Sequence, residues 1–154
     1  MIEKFWRVSA TSPSGLVWTQ YKRYCAHSPG DPACNTPDAK GYLTGGFGGK
    51  NYKAHRVVFY LTHGYWPTLV DHIDGDRSNN RPDNLRDASL EVNAQNRLAG
   101  GCSFDKYSGK WKAYISFEGK QITLGRFPSK AWARQAYLNA KREYHPTAPE
   151  RCYA

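Results

Sequence analysis

No run of 18 or more apolar residues occurs in the chain, so it offers no segment that would cross a bilayer as a helix. The N-terminus, MIEKFWRVSATSPSG, has no basic stretch leading into an apolar core and no small-residue cleavage pattern, so it does not read as a secretory signal. Paired CxxC motifs are absent, which removes the common zinc-scaffolded modules. The four cysteines, Cys25, Cys34, Cys102 and Cys152, are scattered, and without a secretory signal they read as reduced thiols rather than a disulfide framework. Cys25-Ala26-His27 with Cys34 matches no standard zinc spacing and has no evident fourth ligand. Acidic residues are few, 13 against 22 Lys and Arg for a net charge of +9. These absences predict an intracellular chain, independent of membranes, whose partner is a polyanion, nucleic acid before any other.

What is present supports folding, since 40% hydrophobic and 14% aromatic residues supply enough surface to bury against the entropy of ordering. The 154 residues suit one ordinary domain or two to three small modules. Gly and Pro punctuation suggests three stretches, 1–53, 54–99 and 100–154. In the first, SPGDPACNTPDAKG (28–41) reads as a loop and GGFGGKN (45–51) as a turn cluster between short strands. Its Trp6, Trp18, Tyr21, Tyr24, Tyr42 and Phe47 interleave with Lys22, Arg23, Lys50 and Lys53, a mix that suits a DNA-facing β-hairpin and a small core equally well.

The second stretch begins with KAHRVVFYLTHGYWP, an apolar run of strand or helix type whose length leans to helix, closed by Gly64 and Pro67. LVDHI (69–73) and LRDAS (85–89) read as short strands around an Asn/Asp-rich loop, and Ser89 is placed to cap a helix LEVNAQNRLA. In the third, CSFDKY, WKAYISF and QITLG alternate as a three-stranded antiparallel meander. Cys102, Phe104, Trp111, Ala113, Ile115, Phe117, Ile122 and Leu124 fall on one face. The amphipathic segment SKAWARQAYLNAKREYHP, with Ser129 as cap and Pro146 as stop, would cover that face. Ser103, Asp105, Lys112, Tyr114, Ser116, Gln121 and Thr123 would then be exposed on the other.

The stretch VDHIDGDRSNNRPDN (70–84) places four Asp and three Asn around one His in an otherwise basic chain. Asp and Asn are turn residues and need no function. An EF-hand loop is disfavoured because Leu85 stands where the bidentate Glu belongs and Asn79 where the Gly does. His72 also has the ordinary reading of a satisfied core histidine, with Asp71 merely orienting it. Against these, adjacent strand residues point to opposite faces, so Asp71 and His72 can set a carboxylate and an imidazole on either side of one reacting group. Magnesium needs few protein ligands, because it keeps several waters and takes oxygens from substrate phosphate. Asp71 plus Asn93 or Asn96, three apart on one helix face, would suffice. A His that titrates near neutrality can take a proton from water, and the chemistry using this set is phosphodiester hydrolysis.

Residues 54–96, with HR at 55–56, G-x-x-P at 64–67, DHIDGD at 71–76, NN-x-x-x-NLR at 79–86 and N-x-x-N at 93–96, resemble the HNH endonuclease family, in particular its phage and intron-encoded homing-type members. The resemblance implies a ββα-metal fold binding one divalent ion, Mg2+ or Mn2+. By position it makes His72 the general base, Asp71 the carboxylate ligand, Asn84 the residue that braces the loop and orients the His, and Asn93 the final ligand, with Asn96 as alternative. His55 is read as packing or phosphate-contacting. Arg56, Arg77, Arg81 and Arg86 are candidate phosphate contacts, or solvated loop charges.

Residues 101–146, through GKWKAYI, LGRF and A-x-x-A-Y, resemble the plant ethylene-response-factor (APETALA-type) DNA-binding domain. That implies a sheet face toward the major groove, with Tyr114 on it and Lys106, Lys110, Lys112, Lys120 and Arg126 supplying phosphate contacts. The pattern departs from the plant members, because Ser103, Asp105, Ser116 and Gln121 stand where those tend to have Arg, and Thr123 and Tyr107 where they have Trp. The expectation is therefore an α+β protein with an N-terminal β-rich segment, a central ββα-metal module, and a C-terminal three-stranded antiparallel sheet on one helix. Its expected function is that of a DNA endonuclease acting on double-stranded DNA inside a cell, as a monomer or homodimer, with phage encoding in a bacterial host as one source and an intron or a bacterial genome as others. A non-cleaving DNA-binding regulator and an RNA-processing nuclease are the alternatives.

Overall fold

The computed structural model describes residues 2–20, 27–98 and 100–153. The architecture is α+β, with three α-helices and four small antiparallel sheets among the described residues. The chain divides into two compact units, 1–89 and 90–154.

In the first unit, β1 (Trp6–Val8) pairs with β2 (Leu16–Trp18), and β3 (Thr36–Pro37), β4 (Leu43–Phe47) and β5 (Lys50–Lys53) form a three-stranded sheet. The apolar run after Tyr52 is α1 (Ala54–His63), as its length suggested. It stops at Gly64, which takes a left-handed conformation and donates its N–H to the Tyr60 carbonyl at 2.8 Å. Then β6 (Val70–His72) pairs with β7 (Leu85–Asp87). The core gathers Trp6, Leu16 and Trp18 from the N-terminal strands with Val57, Val58 and Phe59 of α1, Val70 and Leu85. Trp6, 1% exposed, has Trp18, Phe47 and Tyr52 within 5.4–5.7 Å, centroid to centroid. These aromatics of the N-terminal segment thus build a core shared with α1, and packing draws no line at 53/54. Tyr21, Lys22, Arg23, Tyr24 and Cys25 lie outside the described residues.

The expected turn over 45–51 is shorter than read. Gly45 and Gly46 continue β4, paired to Tyr52 and Asn51, and Gly48-Gly49 alone make the turn. The physical reason is close approach, because a β-carbon on Gly45 would lie 2.6 Å from Cys34 Cα. Of the residues weighed for zinc, His27 stacks on Trp18 at 5.0 Å, and burial pushes the Cys34 thiol up to about 12, far from a ligating thiolate.

In the second unit α2 (Leu90–Gln95) precedes the meander β8 (Cys102–Asp105), β9 (Lys110–Phe117) and β10 (Lys120–Phe127), ordered β10-β9-β8, and α3 (Lys130–Tyr144). Ser129 caps α3, its hydroxyl accepting the Trp132 N–H at 3.3 Å. Ala113 and Ile115 are buried beneath α3 with Tyr137, Leu138 and Ala140. The face assignment holds up to a register shift between Thr123 and Gly125, where Gly125 (φ +138°) opposes Ala113. This bulge moves Arg126 into register with Lys112 and so onto the polar face. Strict alternation would have sent Arg126 to the apolar side.

Candidate active site

The site of the first unit is built on the β6–β7 pair. Register sets Asp71 against Arg86 and His72 against Leu85, and Asp71 and His72 are each 5% exposed. The segment between them is held by its own side chains. Asn84 accepts the Asp74 N–H at 3.0 Å and donates to Asp74 Oδ1 at 2.9 Å and to the Asn79 carbonyl at 2.8 Å, while its carbonyl accepts the Ile73 N–H at 2.9 Å. Asp76 accepts both the N–H and the hydroxyl of Ser78. Burial draws the Asp74 carboxyl upward, but hydrogen bonds from Asn79, Asn84 and the Asp76 N–H outweigh it and hold the group below the usual carboxylate range. Asp74, Asp76 and Asn84 thus brace the loop.

The His72 imidazole is met by a residue that turn chemistry alone did not single out. Asn80 Oδ1 lies 3.0 Å from His72 Nε2, and Asn80 Nδ2 donates to the Ser14 carbonyl at 3.1 Å. With the amide oriented by Ser14, its oxygen faces Nε2, which places that ring nitrogen to donate. Edge-on to His72, at 5.0 Å, sits His55 in the first turn of α1. Burial first, then the charges of His72, Lys53 and Arg56, push His55 down to about 3, so the neutral ring is favoured where it packs on His72. Tyr42 lies 5.0 Å from His55 and 6.0 Å from His72, with Lys53 Nζ 4.3 Å and Arg77 Cζ 5.1 Å from its ring centroid. The second Asn of the NN pair was the visible signal for Asn80. Tyr42 was visible only as one of the aromatics interleaved with basic residues, and the Ser14 carbonyl left no signal.

The candidate phosphate contacts divide by what already engages them. Arg56 donates to the carbonyls of Pro67 at 2.7 Å and Thr68 at 3.1 Å and so ties down the loop after α1. Arg86 is paired with Asp71, both Nε (2.9 Å) and Nη2 (2.8 Å) reaching Oδ2. Arg77 is exposed and anchored on the Lys40 carbonyl at 2.7 Å. Arg81 is exposed and 3.5 Å from Asp83. In the second unit Lys110 and Lys120 are exposed, Lys112 and Tyr114 half-buried, and Arg126 lies 3.1 Å from Asp105.

The two candidate Asn ligands belong to α2 and its C-terminal end, in the second unit. Asn96 is 5% exposed, and Arg151 donates to its main-chain carbonyl at 2.7 Å and to Oδ1 at 2.5 Å. Asn93 is half-buried. Carboxylate and amide oxygens are donors suited to a hard divalent cation. Among the described residues no three His, Cys, Asp or Glu side chains gather into a metal-holding group. Among the described residues, too, no helix is long and apolar enough to cross a membrane.

The stretch that builds this site also matches known proteins in sequence. Residues 52–95 match the HNH endonuclease family. A 55-residue stretch is 38% identical to DNA endonuclease I-HmuI of Bacillus phage SP01, covering 34% of this chain and 32% of that protein. The chain thus spans about a third of the length of the curated relative it matches. No solved structure matches it.

Proposed function

We propose that the chain is a metal-dependent HNH DNA endonuclease of homing type. The observation that carries the reading is the buried His72 at the end of β6, neighboured in sequence by Asp71 and bound through Nε2 to an amide of fixed orientation, inside the stretch that matches the family. His72 takes a proton from water, and the water attacks the phosphorus in line with the leaving 3′ oxygen. On the family's pattern Asp71 and Asn93 hold the ion, Mg2+ or Mn2+. The ion supplies positive charge against the phosphate and the leaving oxygen. Asn84 keeps the loop after β6 in place, and the products carry 5′-phosphate and 3′-hydroxyl ends. Asn93 is favoured over Asn96 because the Asn96 amide oxygen already accepts from Arg151.

The substrate is double-stranded DNA. The polar face of the β8–β9–β10 sheet is the DNA-binding surface, in the manner of the ethylene-response-factor-like domain, with Lys110 and Lys112 on phosphates, while Lys120, in register with Phe117 at the start of β10, reaches a phosphate only from the sheet's edge. One active site per chain nicks as a monomer, and double-strand cutting follows from two copies or two successive nicks. The source is a phage acting inside its bacterial host, and 54–99 and 100–154 are the catalytic and DNA-binding parts.

Plasmid cleavage tests the reading. Supercoiled DNA with Mg2+ or Mn2+ is expected to be relaxed or linearised into ends that ligase rejoins without a kinase. His72→Ala should abolish cutting while leaving DNA binding intact. Unchanged supercoiled DNA with the wild-type protein would instead point to a non-cleaving DNA binder.

A further inference from the structure

Asn80, 2% exposed, stands between two segments far apart in the chain. Toward β6 its Oδ1 meets His72 Nε2, and toward the N-terminus its Nδ2 donates to the Ser14 carbonyl. An amide whose NH2 meets a main-chain carbonyl cannot flip without setting oxygen against oxygen, so its own oxygen stays toward His72. The Ser14 carbonyl is itself fixed. Ser14 is fully buried, its hydroxyl donates to the Ala33 carbonyl and accepts the Leu16 N–H, and the turn closes through Gly15 N–H to the Ser12 carbonyl at 3.0 Å. Gly15 has φ +78°, and a β-carbon there would lie 3.1 Å from both the Asn80 carbonyl oxygen and Val58 Cγ2. Both the conformation and the approach call for glycine.

The geometry points to the Ser12–Gly15 turn as a positioning element of the catalytic site: its Ser14 carbonyl fixes the Asn80 amide, and Asn80 holds the His72 ring through Nε2. The turn acts through Asn80 and touches no substrate. It makes the N-terminal segment part of the base's machinery, since a general base works only within hydrogen-bond reach of its proton. This rests on the nuclease reading for its kinetic consequence and not for its structural one.

The experiment has two readouts. In protein labelled with 15N-histidine, without DNA and at a pH where the ring is neutral, His72 should show a protonated Nε2 with a slowly exchanging Hε2. Asn80→Ala should lose that protection. Gly15→Ala, with Asn80 and His72 intact, should weaken or lose it too, and kcat for DNA cleavage should fall on the order of 10–100-fold with KM within about twofold. Should Gly15→Ala not fold, Ser14→Ala loosens the same turn without added bulk and is expected to act in the same direction. Wild-type Hε2 protection and kcat in a folded turn variant would overturn the role of the turn, and protection surviving Asn80→Ala would overturn that of Asn80. If the wild-type protein cleaves no DNA, the nuclease reading fails while the NMR readout still decides the positioning.

Discussion

His55 meets His72 edge-on, with ring centroids 5.0 Å apart and planes at 64°, and both rings are buried. His55 also keeps its Nδ1 buried without a hydrogen-bond partner among the described residues. Burial and neighbouring positive charge push it down to about 3, whereas an unfolded-chain His titrates near 6.5. Between about 6.5 and 3 the unfolded chain therefore binds a proton that the folded chain refuses. Stability should fall as pH falls through that window, by up to about 1.4 kcal/mol per unit for this one group. His55→Leu is expected to flatten the acid limb of the urea midpoint measured from pH 7 to pH 4. A variant whose midpoint tracks the wild type at every pH would show that another group carries the effect.

The pairing of Asp71 with Arg86 gives a second prediction. Asp71 is almost wholly buried and the Arg86 side chain 24% exposed, so removing the guanidinium leaves an uncompensated carboxylate inside the protein. Arg86→Gln should cost about 2–3 kcal/mol, less than a fully buried pair because solvent reaches the Arg. Arg86→Lys should recover part of the loss, limited by its single nitrogen. Denaturation at pH 7 measures both. A loss below about 0.5 kcal/mol, the size of an exposed pair, would show that the interaction is a surface one.

Asn93 and Asn96 should separate cleanly. Asn96→Ala removes an acceptor from Arg151 and is expected to cost about 1–3 kcal/mol of stability, with metal affinity unchanged. Asn93→Ala should leave the melting temperature near wild type and weaken Mn2+ binding, read by calorimetry on the intact chain. The opposite assignment, with Asn96→Ala the variant that loses Mn2+, would return Asn96 to the site.

How much of the molecule is legible in its sequence depends on the range over which each interaction acts. The meander, α3 and its Ser129 cap follow from alternation and short-range signals, and the β6–loop–β7 hairpin follows from Asn/Asp chemistry around a strand pair. The Asp71-His72 dipeptide and the bracing Asn84 are legible for the same reason. The link from His72 through Asn80 to the Ser14 carbonyl has a second step, Asn80 to Ser14, that spans 66 residues and ends on a backbone atom, which no side-chain pattern encodes. Arg56 and Arg86 look like DNA contacts because charge is visible in a sequence, while the carbonyls and the carboxylate that engage them depend on the fold. The bulge at Gly125 hides in the same way, since a single extra residue inverts the side on which Arg126 emerges.

That bulge sets up a final test of the sheet as a DNA surface. It brings Arg126 into the row of Lys112 and Ser103, where Asp105 pairs with it at 3.1 Å. Its charge is partly offset before any phosphate arrives, whereas Lys110 is exposed at the strand start. Removing one cation that neutralises a phosphate should reduce the slope of log affinity against log salt by about 0.9. Lys110→Ala and Lys112→Ala are expected to give that decrement, and Arg126→Ala a smaller one. Asp105→Asn should go the other way, tightening binding and steepening the slope, because the amide can still accept the Tyr107 N–H that Asp105 now holds at 3.0 Å while releasing the guanidinium. Equal salt slopes for all four variants and the wild type, measured on one duplex, would remove the sheet from the DNA interface.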